Sequence, residues 1–299
     1  MKKYFLISGL LLLLISCKKN ENQVIDEKNL SDTIIAEKKS DSTGIKNAID
    51  GVIFTSTDSI KESKELDLQL LQKIAPQLKI NYSDIRVDKT SSISYNDQIV
   101  FFVITYAQAV NNKEKDISIE RKYVFVRKIN GKILAAESDP ELSHLKDEVI
   151  QASKSYILKD LIQLNDQTAG IAFYTDLGSG GGVQYWRRKF TIITFTDSGI
   201  KKVLNNYTIG RGNSEMKDDN TDKIETLEAG LQVSKNKTNG FYDLIVSKSF
   251  LYEEWNRNGE DDTQGKTKVK KETEVLKYNG KNYTFDAADK MRFLSNLNE

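Results

Sequence analysis

The 299-residue chain is poor in cysteine, histidine and proline, with one, one and two of each. A lone cysteine leaves no partner for an intramolecular disulfide and no second thiolate for a metal. A lone histidine, His144, excludes histidine-rich zinc centres and would have to serve any Ser-His-Asp or Cys-His mechanism. No Gly-x-Ser-x-Gly elbow accompanies it, and its spacing to Leu142 and Leu145 puts it on the flank of a helix, where histidine is ordinarily a surface residue. Charge of neither sign dominates. Lys and Arg total 44 against 43 Asp and Glu, and without Lys2 and Lys3 the basic count is 42. Such a balanced surface has no sustained positive field, which argues against nucleic acid or anionic lipid as the target of the body. Long apolar runs are also scarce: Phe5 to Ile15 is far shorter than the roughly 20 residues of a spanning helix.

What stands at that N-terminus is informative. Lys2 and Lys3 precede the apolar run, which closes on Leu14-Ile15-Ser16-Cys17. The pattern resembles the lipobox of bacterial lipoproteins. The resemblance implies removal of a signal peptide, residues 1–16, with the Cys17 sulfur carrying a diacylglycerol and its amine a further acyl chain such as palmitate. Three acyl chains exceed what stable anchoring requires. Lys18 stands where an aspartate would retain a lipoprotein at the inner membrane, so the outer-membrane class is expected, on either its periplasmic or its surface face. Residues 17–48 are polar and aperiodic and read as a lipid-anchored tether, averaging roughly 30 Å and reaching about 100 Å when extended. Asp32-Thr33-Ile34, Asp41-Ser42-Thr43 and Asp58-Ser59-Ile60 resemble the O-glycosylation triplet of Bacteroidetes secretory proteins.

The body reads as mainly β, in repeated antiparallel meanders forming a β-sandwich or propeller-like sheet, with two to three flanking helices. Its first β-rich unit spans 49–137 and its second 138–299. Three strand–loop–strand–turn–strand segments carry this expectation. The first runs from Gln98 to Val110, through NNKEKD, and from Ile117 back through a two-residue turn at Asn130-Gly131 into KILAAE. The second joins AGIAFYT, the loop DLGSGGGVQ and YWRRKFTIITFT, then turns at Asp197-Ser198-Gly199. The third joins FYDLIVSKSFLYEEW to KVKKETEVLKY across a long polar loop and turns at Asn279-Gly280. One helix is expected from a capping box at Ser59 and Glu62, with Leu66, Leu70 and Ile74 on one face and Pro76 as its stop. A second opens at Asp139-Pro140 and buries Leu142, Leu145, Val149 and Ala152. A third begins near Ala287 and carries Met291, Leu294 and Leu297. The segment NGFYDLIV, Asn239 to Val246, resembles the Gly-Phe-x-Asp-Leu core of integrin-like FG-GAP repeats. The family's calcium loop is replaced here by SKNKTNG, and three units fall short of the roughly four to eight blades of a propeller.

Two acidic stretches have partial calcium-loop spacing. Asp218, Asn220 and Asp222 alternate, but Lys223 takes the glycine position and no glutamate stands at the twelfth. Asn256, Asn258, Glu260 and Asp262 alternate around Gly259. Both read as solvated loops, so no metal is expected, and no cofactor motif is present. The stretch Asp176 to Lys189 is the most unusual loop of the chain. Its four glycines permit close backbone approach, Tyr185 and Trp186 offer stacking faces, and Arg187 and Arg188 offer anion contacts. It lacks the Gly-Lys-Ser/Thr ending of a phosphate loop. Alternation leaves Trp186 either in the core or on the surface; the core is favoured, with Arg187 the more exposed. These residues point to a lipid-anchored envelope protein, non-enzymatic, binding a protein or glycan partner. The alternatives are an envelope hydrolase with carboxylate acid/base chemistry and a structural or assembly factor of an outer-membrane complex.

Overall fold

The run Ile99 to Ala109 is apolar at consecutive positions, which a strand tolerates only when both faces are covered. In the computed structural model, which describes residues 48–49, 51–109, 117–139, 154–179, 184–218, 220–258 and 261–285, both are. Two short strands come first, β1 (Ala48–Ile49) and β2 (Val52–Phe54). A small antiparallel sheet then runs in order through β3 (Ser91–Ser94), β4 (Ile99–Ala109), β5 (Ile117–Arg127) and β6 (Ile133–Ser138). One face of β4, with Phe101 and Val103, packs on Tyr123, Phe125 and Phe173. Its other face, with Val100, Phe102 and Ile104, lies under α1 (Leu68–Ile74) through Leu70, Leu71 and Ile74.

That helix starts later than its sequence suggests. Asp67, not Ser59, is the cap, its Oδ1 accepting from the Leu70 N–H at 2.9 Å. Ser59 instead closes a 3-10 turn, Thr57–Ser59, in which its hydroxyl donates to the Ser56 carbonyl and accepts from the Thr55 N–H. Glu62 and Ser63 then run beside Leu158 and Ile157, too extended to be helical. Pro76 ends the helix by opening a 3-10 turn, Pro76–Leu78, consistent with its missing N–H. Among the described residues α1 is the one α-helix; the helices expected from Pro140 and from Ala287 lie outside them, as do the Cys17 region, the tether through Asn47 and His144.

The second sheet is a long meander. After β7 (Ser155–Ile157) and β8 (Leu161–Gln163) come β9 (Ala169–Ser179), β10 (Gln184–Thr196), β11 (Gly199–Asp218), β12 (Thr221–Thr238), β13 (Phe241–Asn258), β14 (Asp261–Tyr278) and β15 (Tyr283–Thr284), each antiparallel to the next from β8 on. The chain is therefore mainly β, with antiparallel meanders in a sandwich-like arrangement, and its ladder does not close into a barrel among the described residues. Upstream of Gly210, β11 pairs with β10 alone, and β12 takes β2 as its neighbour at Leu231 and Gln232. Register shifts in β11 opposite Arg188 and Phe190 mark where it bends away, as bulges do. The main core fills the space this leaves, from Phe54 and Phe190 through Tyr207 to Leu231, Leu244 and Leu276.

Two expected turns change in detail. Asn130-Gly131 is half of a four-residue loop closed by the Arg127 N–H to the Lys132 carbonyl, with only Gly131 at positive φ. At 279–282 the central pair is Gly280-Lys281, since the Asn279 N–H donates to the Asn282 carbonyl. The two-residue Asn-Gly hairpin lies elsewhere, at Asn239-Gly240. Both residues have positive φ, as the turn requires, and Thr238 pairs with Phe241 around them. The Gly-Phe pair there is thus a turn and the first residue of β13. Of the two arrangements expected, a continuous ladder of long strands replaces propeller blades.

A buried polar bolt joins the sheets. Arg121 of β5 is 1% exposed and donates from Nη1 to Thr175 Oγ1 of β9 at 3.0 Å. The Thr175 hydroxyl lies 2.7 Å from Ser155 Oγ of β7, and the Ser91 hydroxyl donates to the Ser155 carbonyl. Tyr123 donates to the buried Asp139 carboxylate, which faces the same guanidinium. Burial, then the Asp139 charge, pushes the Tyr123 phenol well up. Buried groups of this kind stay ionised only when paired.

Candidate binding face

Tyr185, Trp186, Arg187 and Arg188 belong to a strand, not to a loop. β9 continues through Ser179 and β10 begins at Gln184, so the ladder extends into the glycine-rich stretch. Trp186 is 38% exposed and enters no core cluster, against the expectation that favoured the core. The reason is its floor. Across β11 it stands opposite Gly212, and a Cβ on Gly212 or Gly210 would meet its ring at 2.1 or 2.8 Å. The indole therefore lies over two glycines, one ring face on backbone and the other outward, a pairing known to repair the weakness of glycine in strands. Arg187 projects to the opposite face from Trp186, by strand alternation, and is half-buried. The side chain of Tyr185 is outside the described set.

Arg188 shares the Trp186 face and is locked. Its Nε and Nη2 donate to both oxygens of Asp176, at 2.7 and 3.0 Å, and its Nη1 to the Thr57 carbonyl at 3.2 Å. Burial opposes the charge, but the Asp176 hydrogen bonds and charge outweigh it and hold the guanidinium above its ordinary pKa. The guanidinium carbon sits 4.5 Å from the Tyr174 ring centre, Tyr174 stacks on Tyr156 at 4.9 Å and 18°, and Lys154 caps Tyr156 at 5.1 Å. Tyr174 also donates to Glu62, and burial followed by that carboxylate raises its phenol pKa. The result is a cation–ring–ring–cation stack, rigid and already paired. Asp176, with both oxygens engaged, is poorly placed to take a proton from a substrate.

From Trp186 the surface continues across the sheet. Register sets Trp186, Gly212, Thr226, Leu251 and Val269 directly opposite one another on β10 to β14. Directly paired residues share a face. Val269 is 59% exposed, Thr226 and Leu251 are half-buried, and Met216 near the end of the same face is also exposed. Trp186 and Val269 are thus the exposed ends of a row across five strands, with the buried Gly212 and the half-buried Thr226 and Leu251 between them.

The other expected positions fall apart. Asp222 is held by Arg257 through two bonds of 2.7 and 2.8 Å, and Asn220 gives its carbonyl to the Arg257 N–H. Asn256 and Asp262 are strand residues near the end of the β13–β14 ladder, opposite Thr263 and Arg257 respectively, and Glu260 and the Asn258 side chain are outside the described set. No three His, Cys, Asp or Glu side chains among the described residues gather as metal ligands. A shallow hollow of about 390 Å³ between β6 and the β10–β11 turn, beside Glu137 and Ser198, is remote in register from Trp186. The floor residues Gly210 and Gly212 escaped the sequence reading, although glycines two apart on a strand are a signal for an aromatic lying across them. No family model, no curated protein and no solved structure matches the chain.

Proposed function

We propose that the chain is a lipid-anchored protein of the cell envelope, attached through Cys17 to the outer membrane, whose β-rich body binds a protein or glycan partner and catalyses no reaction. The row from Trp186 to Val269 carries the binding half of this reading. A flat indole on a rigid floor, beside a pre-paired arginine, loses little entropy on contact, and Trp and Arg are the types most enriched among interface hot spots. Its aliphatic continuation through Leu251 and Val269 favours a protein over a glycan. The Leu14 to Cys17 lipobox supports the anchor.

Capture from solubilised envelopes, run beside a glycan array, tests the binding half. Trp186→Ala should keep the fold and weaken capture by roughly 2 kcal/mol or more, the cost of an anchor residue. Turnover of a generic ester, phosphate or glycoside substrate that vanishes with one carboxylate substitution would refute it. For the anchor, labelled palmitate should enter the wild type and not Cys17→Ser, which should accumulate as precursor.

A further inference from the structure

Asparagine is followed by glycine four times, at Asn130, Asn239, Asn258 and Asn279. That pair has a chemistry of its own. With no side chain on the second residue, its backbone nitrogen can reach the asparagine carboxamide carbon and close a succinimide ring, an intramolecular attack favoured by proximity. The Asn258 side chain and Gly259 lie outside the described set. The other three pairs are held in three different ways.

At Asn130 the nucleophile is engaged. The Gly131 N–H donates to the Arg127 carbonyl at 2.9 Å, and Gln77 holds the Gly131 carbonyl at 3.0 Å. At Asn239 the leaving group is engaged, since Nδ2 donates to the Tyr278 carbonyl of β14 at 2.8 Å. At Asn279 neither restraint exists among the described residues. Its Oδ1 instead accepts from two backbone N–H groups, those of Lys281 and Asn282, each at 2.8 Å. Asn130 Oδ1 has one such donor, the Lys132 N–H at 2.9 Å. Two donors on one carbonyl oxygen make its carbon more electrophilic and stabilise the oxyanion formed when a nucleophile adds. Asn279 and Gly280 are both exposed, so water and hydroxide have access to them.

We propose that Asn279 is a site of spontaneous modification, converting to aspartate and isoaspartate through a succinimide while Asn130 and Asn239 persist. The Gly280 nitrogen loses its proton to hydroxide and bonds to Asn279 Cγ. The Cγ–Nδ2 bond then breaks, and the nitrogen leaves as ammonia after taking a proton from water. Water opens the ring at either carbonyl, so the net change is amide plus water to carboxylate plus ammonium. Opening at the backbone carbonyl gives isoaspartate and adds a methylene to the main chain. It does so in a turn closed by the Asn279 N–H on the Asn282 carbonyl at 3.0 Å. β15 follows that turn and supplies Tyr283, 1% exposed in the main core, where its hydroxyl donates to the Tyr242 carbonyl at 2.6 Å. Conversion therefore loosens the attachment of β15 and adds a negative charge beside it.

The full chain in detergent is aged at mildly alkaline pH in heavy-oxygen water, which labels conversion during ageing and not during digestion, and is then mapped by mass spectrometry. Asn279 should convert about tenfold or more ahead of Asn130 and Asn239, since one oxyanion donor in a preorganised site is worth at least that. Ageing in urea keeps the same sequences and removes the turns, so the lead should collapse there. Conversion of Asn130 or Asn239 as fast as that of Asn279 in the native chain would overturn the proposal. So would a lead that survives unchanged in urea, or a native Asn279 that stays intact while the denatured one converts. Hydrogen exchange at Tyr283 and Thr284 should quicken in the aged chain, and exchange equal to that of fresh protein would overturn the loosening of β15.

Discussion

β4 and β14 are both strands of antiparallel hairpins, yet they are held in opposite ways. In β4, Val100 to Ile104 are all buried, between an aromatic cluster on one face and α1 on the other. In β14, among the side chains described, only Leu276 and Tyr278 are buried, near its end. The rest of its 18 residues are strand because β13 templates them along almost the whole length, helped by the β-branched Thr263, Thr267, Val269, Thr273 and Val275. Packing fixes β4 and pairing fixes β14. The region least able to change thereby holds the fold, and the region least buried is the one free to vary, which is where the proposed binding face lies.

The sharpest break of this contrast is at Phe102. It is fully buried under α1, so Phe102→Ala should cost about 3 to 5 kcal/mol and lower the melting temperature by many degrees. A loss below about 1 kcal/mol would mean that the small sheet is not the packed half of the molecule. Next comes the bolt. Asp139→Ala removes the acceptor of Tyr123 and the charge facing Arg121, which should cost roughly 3 kcal/mol because the buried guanidinium loses that counter-charge. The double variant Arg121→Met/Asp139→Ala should recover part of that loss in denaturant melts, because no buried charge then remains.

Legibility follows the same division. The first meander could be read almost to the residue, because β4 and β5 announce themselves by apolar content. β12 went unread although Leu227, Ala229, Leu231 and Val233 alternate in the manner of a half-buried strand and are all buried. Acidic and amide residues around Asp222 read as a solvated loop instead, and the Asn239-Gly240 turn was absorbed into a repeat resemblance. The long polar loop expected between Trp255 and Lys268 is strand through Asn258 and again from Asp261, because nothing in a polar stretch reveals that a neighbour will template it. Trp186 and Arg188 stood out by residue type. Their setting did not, since the floor at Gly210 and Gly212 and the row to Val269 depend on register among five strands.

Gly212 offers a smaller and more pointed test. Glycine in a strand interior usually loses stability relative to alanine by roughly 0.5 to 1 kcal/mol, so Gly212→Ala would ordinarily help. Here the new methyl would meet the Trp186 ring at 2.1 Å. The ring must leave, and the expected result is a loss of about 1 to 3 kcal/mol, with a red-shifted tryptophan emission as the indole becomes wetter. Gly240→Ala serves as the companion, because its cost comes from a positive φ with open space around it and should leave Trp186 emission unchanged.

The smallest effect is expected on β14 itself, where the contrast with Phe102 is most exposed to failure. Val269 projects into solvent at the end of the Trp186 row, 59% exposed and opposite Leu251. Val269→Thr keeps the branched Cβ that suits a strand and exchanges one methyl for a hydroxyl that water can satisfy, so stability should move by no more than about 0.5 kcal/mol. If pairing alone fixes this strand, hydrogen exchange of the β13–β14 amides should be unchanged as well, and faster throughout than that of β4. Envelope capture should nevertheless weaken, because the hydroxyl interrupts an apolar row that a partner has to desolvate. Should Val269→Thr instead lower the melting temperature as Phe102→Ala does, the outer strand would be part of a core, and the division between a packed half and a templated half would have to be given up.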